Sequence, residues 1–309
     1  MMTVTPSEVL VAPGRSGVLR QTLFIAKTYF TLTKPKIMTL LLFTAYCGSV
    51  VAKGSIPHLG PTLLMLVGLA FSTGGAAAVN MWFDQDIDKV MSRTKNRPIP
   101  AGHVKPMNAL IFGIALGVAS VVLLAVWVNW LSAVLSFVGF VYYAVFYTMW
   151  LKRRTPHNTV IGGGAGAIPP LIGWAAVTGH LSLAAVLMFT IIFLWTPPHF
   201  WALEILKNRD YSEAGIPMMT VVKGTESTKR QSLWYSALLL LASLSLYFAG
   251  DLNVSYLVVA FVLGSAFLLA TLRMRLEPKG QFVWARRTFV ASLMYLPLLF
   301  IAMVIGVIH

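Results

Sequence analysis

Acidic residues are scarce in this 309-residue chain, with Asp and Glu together numbering 10 against 24 Lys and Arg. Charged residues of both signs make up only 11%. A soluble domain carries about 25%, so an ordinary soluble fold is excluded. The single cysteine, Cys47, excludes an intrachain disulfide and, inside an apolar run, reads as a small buried apolar residue. No cleavable secretory signal with a short apolar core is visible, and no low-complexity tract, long linker or soluble domain interrupts the chain.

What is present is apolar sequence in lengths that cross a bilayer. Hydrophobic residues make up 57% and mean hydropathy is +0.76, the composition of a polytopic membrane protein. Nine spans are expected, at 36–54, 60–83, 107–127, 129–150, 158–178, 183–206, 232–249, 253–273 and 288–308. The basic residues agree with that count. With nine spans, every lysine and arginine except Lys53 falls on one side, as Lys and Arg concentrate in short cytoplasmic loops. The N-terminus is therefore expected in the cytoplasm and the C-terminus outside. Residues 1–35 are expected to form a cytoplasmic segment and 36–309 a single membrane domain. The net charge of +14 follows from this topology and from anionic lipid, so no nucleic-acid partner is needed. The bacterial inner membrane is the expected location, although the basic, acid-poor N-terminal segment leaves a mitochondrial reading open.

Most of the few acids gather after the second and sixth spans. Asn80, Asp84 and Asp88 recur every four residues as the second span ends, so on a helix they line one stripe, each offset by about 40° from the last. An amide and carboxylates at a membrane boundary are costly there and usually functional, although a helix end meeting water is the plainer reading. Oxygen ligands with no Cys or His nearby suit a hard cation, with a phosphorylated substrate completing the shell. Asp86 points away from Asp84 and reads as a supporting or solvent-facing residue. Arg93 and Arg97 follow, and Lys152 and Arg153 flank the fourth span. All four are membrane anchors by default and diphosphate contacts beside a metal-carboxylate site. On the same face, Glu204, Asp210, Glu213 and Glu226 end or follow the sixth span, a faint repeat of the first acidic edge.

Two proline pairs, Pro169–Pro170 and Pro197–Pro198, fall inside the fifth and sixth spans. Both helices are expected to bend around a cavity. The glycines of IGGGAGA read first as close helix packing. His199, flanked by Trp195, Phe200 and Trp201, is either a hydrogen-bonded structural residue or a ligand facing a large planar substrate, haem iron being an option for neutral imidazole. His103 and His157 lie toward the same side. Tyr143 and Tyr147 can offer ring faces to a carbocation, with plain packing the commoner role.

The stretch NMWFDQDIDKVMSRTKNRPIPAG, from Asn80, resembles the first aspartate motif of the UbiA superfamily of intramembrane prenyltransferases. The segments Tyr147–Gly179 and Leu194–Met219 resemble the haem-farnesylating branch of that superfamily, and the similarity covers the chain from about residue 27 onward. The resemblance implies an all-α, UbiA-like fold of nine transmembrane helices around a central cavity. It also implies transfer of farnesyl from farnesyl diphosphate to a vinyl group of haem B, giving haem O. Magnesium would sit on Asn80, Asp84 and Asp88, with Arg93, Arg97, Lys152 and Arg153 on the diphosphate. His199, Tyr143, Tyr147 and Trp201 would face the haem or prenyl group. A downstream haem-modifying enzyme or terminal oxidase assembly would receive the product. The chain departs from the superfamily at the second motif, where Leu206 and Lys207 occupy the slot of one aspartate. That leaves Asp210, with Glu204, as carboxylates for a second ion and Lys207 as a substitute charge. A prenyltransferase for a phenolic or quinone precursor would share the aspartate site, and a transporter would share the broken helices.

Overall fold

A computed structural model describes residues 15–308; residues 1–14 of the expected N-terminal segment, and residue 309, lie outside the described residues. Among the described residues there is no strand, and nine helices are long and apolar enough to cross a membrane. The chain is a multi-pass, all-helical membrane protein. A helix α1, Arg15–Leu32, precedes the spans and is followed by α2, Pro35–Lys53. The second span is α3, Leu59–Phe83, which hands over to a short α4, Gln85–Val90. The third is α5, Pro106–Trp127. The fourth starts as α6, Trp130–Val141, and continues as a π-helix over Tyr142–Leu151.

The fifth span is two pieces, α7 at Asn158–Ala167 and α8 at Pro169–Thr178. The break has a local cause. Pro169 and Pro170 lack the N–H groups that would bond back into α7, and α8 restarts with proline in its first turn, where no donor is needed. The sixth span, α9 at Leu183–Leu206, instead continues as one helix through Pro197 and Pro198. After α10, Asn208–Glu213, and α11, Met219–Val222, come the last three spans: α12, Gly224–Ala249; α13, Val254–Leu276; and α14, Val283–Val307.

Two helices begin earlier than hydropathy suggests, and polar contacts explain both. The first turns of α12 stay helical because Glu226 pairs with Arg275 of α13 at 2.9 Å and with Lys229 at 3.6 Å. Lys229, only 1% exposed, also reaches the Glu277 carbonyl at 3.4 Å. The start of α14 is capped by Glu277, whose Oε1 accepts the Trp284 N–H at 3.0 Å, which supplies a partner to an otherwise orphaned helix donor.

The helices close on one another: α2 packs on α8 and α14, α3 on α5, α9 on α12 and α14, and α13 on α12 and α14. The largest core cluster lies between α2, α9, α12 and α14 and includes Cys47, Met188, Ile191, Trp195, Leu299 and Met303. Outward faces are apolar too, as at Val118, Val122, Phe248 and Val262, where lipid and not water is the neighbour. On the side that carries the basic loops, Ile87 and Met91 pack with Tyr211, Ile216 and Met218. The segments following α3 and α9 thereby form one roof over the bundle.

Candidate active site

The Asn80–Asp84–Asp88 stripe survives a change of helix. Asp84 is the hinge residue between α3 and α4, with φ −85 and ψ 9. The hydrogen-bond ladder carries across it, Asp84 N–H donating to the Asn80 carbonyl at 3.0 Å and Asp88 N–H to the Asp84 carbonyl at 2.8 Å. All three side chains are buried, at 3%, 0% and 2% exposure. Such carboxylates need partners, and cations supply most of them. Lys152 Nζ lies 2.5 Å from Asp84 Oδ2. Arg97 Nη1 donates to both oxygens of Asp88 at 2.8 Å. Asp84 Oδ1 has no hydrogen-bond partner among the described residues, and Arg153 Nη2 lies 3.7 Å from it. Asn80 Nδ2 donates to Asp84 Oδ2 at 2.8 Å and to Thr148 Oγ1 at 3.1 Å.

Two contributors escape a reading of the sequence by helical period. Lys34, between α1 and α2, reaches the Asn80 amide oxygen at 2.5 Å and the Tyr143 hydroxyl at 3.4 Å. Burial, with the charges of Arg97 and Lys152 behind it, lowers its ammonium to about 7. Thr148 arrives through the π-helix. In that geometry hydrogen bonds reach five residues back, and Thr148 Oγ1 donates to the carbonyl of Tyr143 at 2.8 Å. Tyr143 and Tyr147 stack on each other with centroids 5.5 Å apart. A Cβ on Gly162 of α7 would run into the Tyr147 ring, so that glycine admits the ring to the site.

Around this centre, Asp86 is 60% exposed and forms a two-pronged pair with Arg153 at 2.7 and 2.8 Å. Those hydrogen bonds hold its carboxyl below the ordinary carboxylate range. Arg93 is exposed and lies beside Tyr211 in the roof. Asp210 accepts from Ser92 at 3.0 Å, tying the second acidic edge to the first, while Lys207 is 53% exposed and 3.9 Å from Asp210. Glu204 turns into the bundle, 1% exposed, and accepts from Thr159 at 2.8 Å. No hydrogen bond or ion pair among the described residues joins Glu204 to Asp210.

The residues expected around a planar substrate fall into separate groups. Tyr143 and Tyr147 belong to the carboxylate centre. His199 sits in an aromatic pile, stacked on Trp195 at 4.3 Å and on Phe289 of α14 at 5.0 Å, with Phe200 edge-on at 5.0 Å. Its Nδ1 meets Ser292 Oγ at 2.7 Å, and that hydroxyl donates its one proton to the Phe289 carbonyl at 2.5 Å. Nδ1 must therefore be the donor, which fixes the tautomer and leaves the lone pair on Nε2. Trp201, two residues on and so about 200° around the helix, is fully buried against Tyr235 and Met219 in a different cluster. His103 packs edge-on against Phe24 of α1 at 5.2 Å and His157 is exposed.

A bundle of membrane-crossing helices that gathers an amide, two buried carboxylates and several cations at one rim is the architecture of an intramembrane diphosphate-handling enzyme. The chain belongs to the UbiA prenyltransferase family, whose sequence model matches residues 41–306. It is 50% identical over 283 residues to a protein from Symbiobacterium thermophilum named protoheme IX farnesyltransferase, covering 92% of this chain and 95% of that one. A protein of the same name from Agrobacterium fabrum is 48% identical, with 88% and 86% covered. Among solved structures, a digeranylgeranylglyceryl phosphate synthase superposes with TM-score 0.78 at 18% identity, covering 92% of this chain and 99% of that one. A UbiA homologue from Archaeoglobus fulgidus, bound to DMAPP and Mg2+, superposes with TM-score 0.65 at 16% identity, covering 90% and 99%.

Proposed function

We propose that this protein transfers the farnesyl group of farnesyl diphosphate to a vinyl group of haem B, with addition of water, to give haem O and diphosphate. The observation that carries the reading is the buried Asn80–Asp84–Asp88 stripe ringed by Lys152 and Arg97, in a chain half identical to proteins named for this activity.

The donor set fits a hard divalent ion. It is all oxygen, and Asp84 Oδ1 is a buried carboxylate oxygen without a hydrogen bond among the described residues. Asn80, Asp84 and Asp88 would hold magnesium together with diphosphate oxygens, and the ion would supply Lewis-acid stabilisation of the leaving group. The Archaeoglobus fulgidus relative of the fold was solved with both kinds of ligand. Asp210, held by Ser92 and flanked by Lys207, is the candidate for a second ion or its substitute.

The chain's own residues would do the rest. Lys152, Arg97, Arg93 and Arg153 neutralise the charge that develops on diphosphate as the farnesyl C1–O bond breaks. The stacked Tyr143 and Tyr147 present ring faces to the allylic cation. The vinyl group attacks C1, the cation formed beside the porphyrin captures water, and that water loses a proton. His199, with Nδ1 anchored on Ser292, offers Nε2 to the haem iron. No covalent nucleophile is required, consistent with Cys47 lying in the core. The basic loops favour a bacterial inner membrane with the site on the cytoplasmic side, from which haem O passes to a haem-modifying enzyme or an oxidase under assembly.

Membranes containing the protein, given haem B and farnesyl diphosphate, are expected to yield a haem heavier by one farnesyl group plus water, seen by mass spectrometry of extracted haems. Prenylation of a phenolic acceptor with no such haem would refute the proposal.

A further inference from the structure

The start of α14 carries a basic face that the carboxylate centre does not use. Val283, Arg286, Arg287, Val290 and Ala291 line a groove of about 550 Å³, and their spacing of three and four residues puts them on one stripe of the helix. Both arginines are exposed. Between positions 273 and 287, Arg273, Arg275, Lys279, Arg286 and Arg287 meet a single acid, Glu277, whose Oε1 is already committed to the Trp284 N–H. Among the described residues no ion pair reaches Arg286 or Arg287, whereas Arg97, Arg153, Arg209 and Arg275 each meet a carboxylate. Arg287 instead lies over the Trp284 ring, 4.8 Å from its centre, and Arg273 shares that ring at 5.9 Å. Stacking holds a guanidinium in place and leaves its N–H groups free for an anion.

The position of the groove decides which anion suits it. Phe289 lies three residues beyond Arg286, about 60° around the helix and about 4.5 Å along it, and stacks on His199 with ring centres 5.0 Å apart. Ser292, a turn further, accepts from His199 Nδ1 at 2.7 Å. Trp284 and Phe289 also pack on one cluster with Ala202 and Ile205 of α9. The arginines and the imidazole are therefore neighbouring parts of one contact between α9 and α14, with the arginines nearer the basic loops. A flat amphiphile with a metal at its centre and acids along one edge has the same order of features. Haem B is such a molecule, its two propionates sharing one edge of the porphyrin, and paired guanidinium groups suit paired carboxylates.

We infer that Arg286 and Arg287 bind the propionates of the acceptor haem and so place its iron toward His199. The inference rests on the haem reading above. Their role is positioning, so it touches only the acidic edge of the acceptor. Removing either charge should matter to a porphyrin with free carboxylates and not to one whose carboxylates are esterified. Arginines that merely mark the membrane boundary would make no such distinction.

The test titrates haem B and haem B dimethyl ester into the full chain in neutral detergent, following the Soret band. Wild type should prefer haem B by about 10- to 100-fold, the scale of one or two charge-assisted hydrogen bonds. Arg286→Gln and Arg287→Gln should each weaken haem B about tenfold and leave the ester unchanged, so that the preference nearly vanishes in the double variant. Arg286→Lys should restore part of it. The Soret position of bound haem and the affinity for farnesyl diphosphate should not move. Equal affinity of wild type for acid and ester, or equal weakening of both in the Gln variants, overturns the role of the arginines. Unchanged haem B affinity with loss of phosphatidylglycerol binding in the double variant also overturns it, assigning the pair to lipid headgroups. Failure of the wild type to bind either porphyrin overturns the haem reading itself.

Discussion

Serine 292 gives the sharpest handle on the acceptor. Its hydroxyl proton is committed to the Phe289 carbonyl at 2.5 Å, so the oxygen can only accept from His199 Nδ1 at 2.7 Å. Ser292→Ala removes that acceptor in a buried site. The imidazole must then bury an unpaired N–H, at about 1–3 kcal/mol, or move its proton to Nε2, where it blocks a metal. Both routes weaken ligation, and loss of such a partner typically costs about 10- to 100-fold in metal affinity, in line with about 1.4 kcal/mol per factor of ten. Haem B titrated into purified protein and followed at its Soret band should show that drop in Ser292→Ala. His199→Ala should change the spectrum itself, and Ser292→Thr, which keeps a hydroxyl, should stay near wild type. Farnesyl diphosphate affinity should not move in any of the three. If haem affinity is unchanged in Ser292→Ala while His199→Ala loses it, the tautomer argument is wrong. If both bind haem normally, His199 is a packing residue.

Asp84→Asn and Asp88→Asn keep shape and hydrogen bonding but lose the charge that holds a divalent ion; turnover should fall by about 10²-fold or more, the scale of several kcal/mol of Lewis-acid stabilisation, with insertion intact. A chelator should mimic them reversibly, and near wild-type turnover of purified Asp84→Asn at ordinary magnesium would sink the assignment. Gly162→Ala should destabilise by about 1–3 kcal/mol through overpacking, with turnover falling because the Tyr147 ring is displaced; a normal melting temperature and normal rate would show that the ring has room to yield.

The membrane architecture was legible because hydropathy and the one-sided placement of lysine and arginine are independent observations that agree on nine spans. The Asn80–Asp84–Asp88 stripe was legible because its four-residue spacing outlasts the handover from α3 to α4. Where the reading fell short, the contacts are either distant in sequence or out of period. Lys34 counts as a basic anchor until its ammonium is seen on a residue 46 positions away. Trp201 neighbours His199 in sequence, but a helix turns it to another core. Thr148 and Ser292 are small hydroxyls inside apolar spans, and the cost of burying them was the available clue. The early starts of α12 and α14 depend on Glu226 and Glu277, partners that hydropathy does not weigh.

The π-helix at Tyr142–Leu151 sets the fourth span apart from its neighbours. Up to Val141 the backbone bonds reach four residues back, and beyond it five, as the Thr148 bond to Tyr143 and the Lys152 N–H bond to the Tyr147 carbonyl both record. In an α-helix, residues five apart diverge by about 140°, so Thr148 could not sit beneath Tyr143. Deleting one residue between Tyr143 and Lys152 would let the stretch relax to the ordinary period, with hydropathy and span length almost untouched. The cell's insertion machinery would see the same segment, yet the register that brings Lys152 onto Asp84 would be lost. Insertion and chemistry therefore read this one stretch of sequence by different rules.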